Sequence, residues 1–143
     1  MATDRRAEVR WQGSLMEGSG TITSTTSGSI GEQQVSWPNR AEDNPDTTSP
    51  EELIAAAHAA CFSMALSHGL AQAGNAPDQL DTSATVTFQP GQGITKIALT
   101  VRGTVPGLDA AAFDEAANTA KQNCPVSKAL AGVPEITLDA SLA

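Results

Sequence analysis

An α+β fold is predicted by three observations. Strand-like runs cluster near the start and again past the middle, one long and almost wholly apolar helix separates the clusters, and neither a βαβ repeat nor a glycine-rich phosphate loop is present. The expected architecture is two small antiparallel sheets around a long buried central helix.

The elements follow in order. "AEVRWQG", "GTITSTT" and "QQVSW" read as three short strands, with Gly13, Gly18, Gly20, Gly28 and Gly31 at the turns, and form a small meander. "RAEDNPDTTSP" (40–50) holds two prolines, several acidic or amide residues and no aliphatic side chain larger than alanine, so it reads as an exposed connection. Ser49, Pro50 and Glu52 then supply a cap, a first-turn proline and the second half of a capping box for a helix that Gly74 stops. "TSATVTFQ" and "ITKIALTVRG" alternate with period two (Ala84, Val86, Phe88; Ile97, Leu99, Val101), and "PGQG" turns one into the other. Asp109 caps "AAAFDEAANTAKQN", "PVSKALAG" makes a short helix, and "EITLDASL" closes the chain as a strand.

Length and composition bound the function. A chain of 143 residues that is 40% hydrophobic fits one domain, 1–143, with a core of useful size. A formal charge of -8, with only 8 Lys and Arg scattered along the chain, leaves no basic stripe and argues against a nucleic-acid partner. The opening "MATDRRAEVRW" lacks the apolar stretch of a secretion signal or a membrane span, so a cytoplasmic protein with no membrane attachment is expected. Two cysteines in that compartment point to redox or catalytic chemistry rather than a permanent disulfide. No CxxC or Cys/His zinc spacing occurs, so no structural metal is expected.

From Leu53 to Leu70 the only polar side chains are His58, Ser63, Ser67 and His68. A helix apolar on all sides is buried. At roughly 24 residues, or about 36 Å, it is too long for two small sheets of one chain to cover, so a second copy is expected to complete the cover as in an obligate homodimer.

The two thiols sit in unlike places. Cys124, directly before Pro125, lies where one helix ends and a short one begins, so unpaired backbone N–H groups there favour a thiolate. Cys61, in mid-helix among alanines, has no such help, and apolar surroundings raise its pKa unless a cation lies nearby. His58, three residues earlier, could pair with it as in a thiol hydrolase, but side chains on adjacent turns seldom align for proton transfer, and a bonded core histidine is the plainer reading. His68 reads as a helix-end residue.

The run "SPEELIAAAHAACFSMAL", followed later by "CPVSKALAG", resembles the OsmC/Ohr family of thiol-dependent hydroperoxide reductases, and the form "AAHAACFSMAL" resembles its OsmC branch. "VRWQGSL", "GSGTITSTTSG", "ITKIAL" and "VPGLDAAAFDEAANTAKQNCPVSKAL" fall in family order, so the resemblance spans nearly the whole chain. It implies an intertwined α+β homodimer with active sites at the interface, Cys61 as the peroxidatic thiol, Cys124 as the resolving thiol, and Arg40 and Glu51 beside them. It also implies an organic hydroperoxide as substrate and an external dithiol as reductant, of lipoyl type or on a lipoylated protein, with no bound cofactor. Ten residues of helix separate Glu51 from Cys61 by about 15 Å along the axis and roughly 80° around it, so a site using both needs a second chain. The expected chemistry is thiolate attack on the peroxide, a Cys61 sulfenic acid, and a Cys61–Cys124 disulfide. Two alternatives stay open: a cysteine hydrolase built on Cys61 and His58, and a ligand-binding dimer with inert thiols.

Overall fold

The computed structural model describes residues 1–43 and 45–143. The chain forms two compact units, Met1–Leu53 and Ile54–Ala143. In the first, β1 (Ala7–Gln12), β2 (Ser19–Thr25) and β3 (Gln33–Val35) make the expected antiparallel meander, in the order β1-β2-β3.

After β3 the structure departs from the sequence reading. The strand ends at Val35, and a short helix, α1 (Trp37–Ala41), occupies the start of the segment read as an open connection. Ser36 caps it, its hydroxyl oxygen accepting from the Asn39 backbone N–H at 3.4 Å and from the Asn39 side-chain amide at 3.0 Å. Five residues are too few for a helical period to register in sequence, and the strand-like "QQVSW" runs straight through the cap into Pro38. Arg40 is therefore carried on a helix rather than a loop. The Asp46 backbone N–H donates to the Asn39 side-chain oxygen at 2.9 Å, tying the connection back to α1; Asn44, also read as part of it, lies outside the described residues.

The long helix α2 runs from Pro50 to Gln72. Ser49 caps it as expected, accepting from the Glu52 N–H at 3.1 Å. At the other end Gly74 takes a φ of +87°, its N–H donates to the Ala71 carbonyl, and the Asn75 N–H reaches the Leu70 carbonyl. This is a Schellman closure, and it needs a residue without a Cβ penalty at Gly74.

In the second unit, β4 (Gln79–Gln89) and β5 (Gly93–Thr104) form the expected hairpin. Helices α3 (Ala110–Asn123) and α4 (Pro125–Ala129) follow, then β6 (Glu135–Leu142). Here the expectation of an antiparallel sheet is corrected. β6 lies parallel to β5 in the order β4-β5-β6, because the two helices carry the chain back to the end at which β5 began. The sheet is mixed, and β5–α3–α4–β6 is a crossover unit that a search for repeated βαβ patterns passes over. Ile97, Leu99 and Val101 of β5 pack with Phe62, Leu66 and Leu70 of α2 and with Phe113 and Ala117 of α3. Gly103 keeps the sheet close to α3, since a Cβ there would stand 2.6 Å from the Phe113 ring.

On α2, Glu51, His58, Phe62, Leu66 and Leu70 are buried, whereas Ala56, Ala57, Ala60, Met64 and Ala71 are exposed, Met64 at 72%. At 100° per residue these sets occupy opposite faces. One chain covers one face of its apolar helix and leaves the other open.

Candidate active site

The second unit brings the two cysteines together. Cys61 sits on α2 at the margin of the buried face and is half-buried; Cys124 is fully buried. Their sulfurs lie 2.9 Å apart and share a hydrogen bond, although 63 positions separate them in the chain. Both are free thiols. Pro125 disfavours helical backbone at the residue before it, and Cys124 accordingly takes φ -56° and ψ 124°, closing α3 and opening α4 in one residue.

The thiols differ in ionisation. Burial pushes the Cys61 thiol up, and the hydrogen bond shared with Cys124 pushes it further, against a smaller opposing pull from the Val126 backbone N–H. Burial also acts upward on Cys124, but it is outweighed by the bond from Cys61, the backbone N–H and hydroxyl of Ser127, and the Val126 N–H, so this thiol falls below its ordinary value. The unlike electrostatics expected of the two positions are both present. In the single chain the cysteine reached by solvent is the harder one to ionise.

His58 is buried on α2, and its Nε2 lies 2.7 Å from Ser127 Oγ on α4. It is a bonded core histidine, engaged with Ser127 rather than with the Cys61 sulfur. Burial lowers its pKa below 6.5, and its Nδ1 is buried without a hydrogen-bond partner. Sequence reasoning missed Ser127 as a site residue. Its place three residues after Cys124 in "CPVSKAL" is visible, but its histidine partner lies 69 positions away. His68 is exposed near the end of α2, beside the Gln72 amide.

The first unit brings Arg40 and Glu51 together. Arg40 Nε donates to both carboxylate oxygens, at 2.9 and 3.2 Å, and Nη2 lies 2.8 Å from Oε1. The Glu51 side chain is 8% exposed and that of Arg40 34%, so a nearly dry carboxylate holds the guanidinium of a part-exposed arginine by two nitrogens. The sequence pointed to both residues only through resemblance; α1 and the first turn of α2 place them side by side.

The second unit supplies two thiols close enough to interconvert with a disulfide after modest movement, and the first unit, by itself, supplies a cation clamped by a carboxylate. Residues 42–139 match the family model described as OsmC-like protein. The chain is 46% identical to the peroxiredoxin OsmC of Escherichia coli, over 99% of each protein. It is 31% identical to the organic hydroperoxide resistance protein OhrB of Bacillus subtilis, over 71% of this chain and 76% of that one. The crystal structure of the Bacillus protein superposes with a TM-score of 0.64 and 27% identity, covering 96% of this chain and 98% of that one. With the matched segment and the full-length relative in agreement, the chain belongs to the OsmC-like protein family.

Proposed function

We propose that the protein is a cysteine-based peroxidase that reduces organic hydroperoxides to alcohols, and hydrogen peroxide less well. The observation that carries this reading is the 2.9 Å approach of a half-buried Cys61 to a sealed Cys124. Exposure decides the order of events. Peroxide reaches Cys61 first, even though Cys124 ionises more readily in the single chain. The Cys61 thiolate attacks the outer peroxide oxygen; the O–O bond breaks, the alkoxide takes a proton and leaves as alcohol, and Cys61 becomes a sulfenic acid. Cys124 then attacks the Cys61 sulfur, forming the disulfide and expelling hydroxide, which leaves as water. An external dithiol, of lipoyl type free or on a lipoylated protein, restores both thiols and is itself oxidised to a disulfide. No bound cofactor takes part.

Cys61 needs a cation to act first, because burial and its neighbour both oppose its ionisation. The clamped Arg40 fills that role. Its guanidinium stabilises the thiolate and then the departing alkoxide, and Glu51 keeps it oriented. Helical spacing keeps Glu51 about 15 Å along α2 from Cys61, so the pair beside each Cys61 is the partner copy's. The open face of α2, with Ala56, Ala57, Ala60 and Met64, supports an intertwined homodimer acting as one domain per chain. The helix is apolar and long enough to cross a membrane by composition, but its His58–Leu70 face lies in a packed core, which favours a core helix of a cytoplasmic protein.

The test is peroxide consumption with a panel of dithiols, alongside thiol counts before and after one equivalent of an organic hydroperoxide. Loss of two thiols per chain, reversed by dithiol, is the expected result. Peroxide left unconsumed with both thiols intact overturns the reading.

A further inference from the structure

His58 and Ser127 have no part in the steps above, yet both are buried and bonded to each other beside the thiols. We propose that they are positioning residues for the resolving thiol: neutral His58, protonated on Nε2, donates to Ser127 Oγ and so turns the Ser127 hydroxyl proton toward the sulfur of Cys124. This rests on the peroxidase reading.

The proton arrangement follows from the geometry. One proton lies between His58 Nε2 and Ser127 Oγ across 2.7 Å, and it belongs to one or the other. If the hydroxyl donates, the ring proton must sit on Nδ1, leaving a buried N–H with no acceptor. Orphaned buried N–H groups are rarer in folded proteins than bare acceptors. If Nε2 donates, Nδ1 is a bare lone pair, and the Ser127 proton is free to seek another acceptor. Burial weighs against a ring protonated on both nitrogens. Cys124 is the N-cap of α4 and Ser127 its third residue, the two positions whose side chains meet over the first turn of a helix. The Ser127 hydroxyl is also among the groups that favour the Cys124 anion, with Cys61 and the backbone N–H groups of Ser127 and Val126.

The arrangement matters after the first oxidation. In the reduced pair Cys61 carries a thiol that supports the Cys124 anion, but once it becomes a sulfenic acid that S–H is gone. Ser127, held by His58, keeps Cys124 ionised for attack. An S–S bond then forms as the S–O bond breaks. The Cys124 sulfur is oxidised, the Cys61 sulfur is reduced from its sulfenic state, and the proton given up by Cys124 ends in the water that leaves.

The full-length protein is mixed with one equivalent of tert-butyl hydroperoxide. Sulfenic acid is trapped with a cyclic 1,3-diketone, and disulfide formation is timed by intact mass. Ser127→Ala and His58→Phe are expected to slow disulfide formation about tenfold or more and to accumulate the trapped sulfenic acid, as loss of a hydrogen bond to an anion implies. Ser127→Thr, which keeps the hydroxyl, and His58→Gln, which keeps a donor near the Nε2 position, are expected to restore the rate. Nitrogen-15 shifts of the reduced native protein give a reading independent of variants, with the proton expected on Nε2. A proton on Nδ1, or disulfide formation at the native rate in Ser127→Ala, overturns the proposal while leaving the peroxidase intact. Absence of both sulfenic acid and disulfide in the native protein overturns the peroxidase reading, and this proposal with it.

Discussion

Arg40 holds Glu51 through Nε and Nη2, with the closest approach at 2.8 Å, and the carboxylate is the drier of the two partners. A pair so arranged orients a positive charge more than it stabilises a fold, because the Arg40 side chain is a third exposed and the ion pair is partly screened by solvent.

Removing that charge is the first prediction. Arg40→Ala is expected to move the Cys61 titration to higher pH and to slow peroxide reduction at pH 7, about tenfold for every pH unit the titration moves. Thiol alkylation against pH and peroxide kinetics measure the two effects. Arg40→Lys keeps a charge but loses the two-nitrogen clasp and is expected to fall between. Unchanged alkylation in Arg40→Ala would move the role to another arginine, with Arg10 and Arg102 next in line.

The open face of α2 gives the second. Native protein at micromolar concentration is expected to sediment at twice the chain mass and to dissociate only on unfolding. Met64→Asp places a charge at the centre of that face and is expected to lower thermal stability and make it concentration-dependent. A stably folded native monomer contradicts the dimer and the shared site together.

How much of this was legible in the chain depends on range. Ser49, Asp109 and Gly74 act through neighbours a few residues away, and each caps or stops its helix where sequence places it. Alternation in β4 and β5 exposes one face and buries the other, as at Ile97, Leu99 and Val101. What was not legible is either too short or too distant. α1 spans five residues, and the parallel partner of β5 arrives after two helices. The His58–Ser127 contact joins residues that no local pattern links. The approach of Cys61 to Cys124 was expected through family resemblance. Burial of Cys61 and the backbone N–H groups at Cys124 were legible locally, whereas the hydrogen bond between the thiols, which pushes Cys61 up and Cys124 down, was not.

A third prediction concerns pH and stability. His58 has a folded pKa below 6.5, so on acidification the unfolded chain takes up a proton before the native one does. Its contribution is present above the unfolded value and is lost as pH falls from there toward the lowered folded value. In that window stability is expected to drop by up to about 1.4 kcal/mol per pH unit from this group. Urea unfolding between pH 7.5 and 5 measures it. His58→Gln, which does not titrate, is expected to show a shallower slope; an equal slope assigns the loss to other groups.

The fourth prediction separates the two sulfurs. Cys61 is half-buried whereas Cys124 is sealed, so on the proposed reading Cys61→Ser is expected to abolish turnover, an alcohol being a far weaker nucleophile than a thiolate at neutral pH. The change is nearly isosteric and sits at the margin of the core, so unfolding temperature is expected to move little. Cys124→Ser keeps the first attack and loses the resolving sulfur. One equivalent of peroxide is then expected to add one oxygen at Cys61, and excess to add a second and a third as the irreversible sulfinic and sulfonic acids form. In the native protein the 2.9 Å approach allows resolution instead, with loss of two hydrogen atoms and no added oxygen, reversed by dithiol. Intact mass distinguishes every one of these species. Full activity in Cys61→Ser, or native protein that keeps both thiols after peroxide, leaves packing as the reason for a cysteine at position 61.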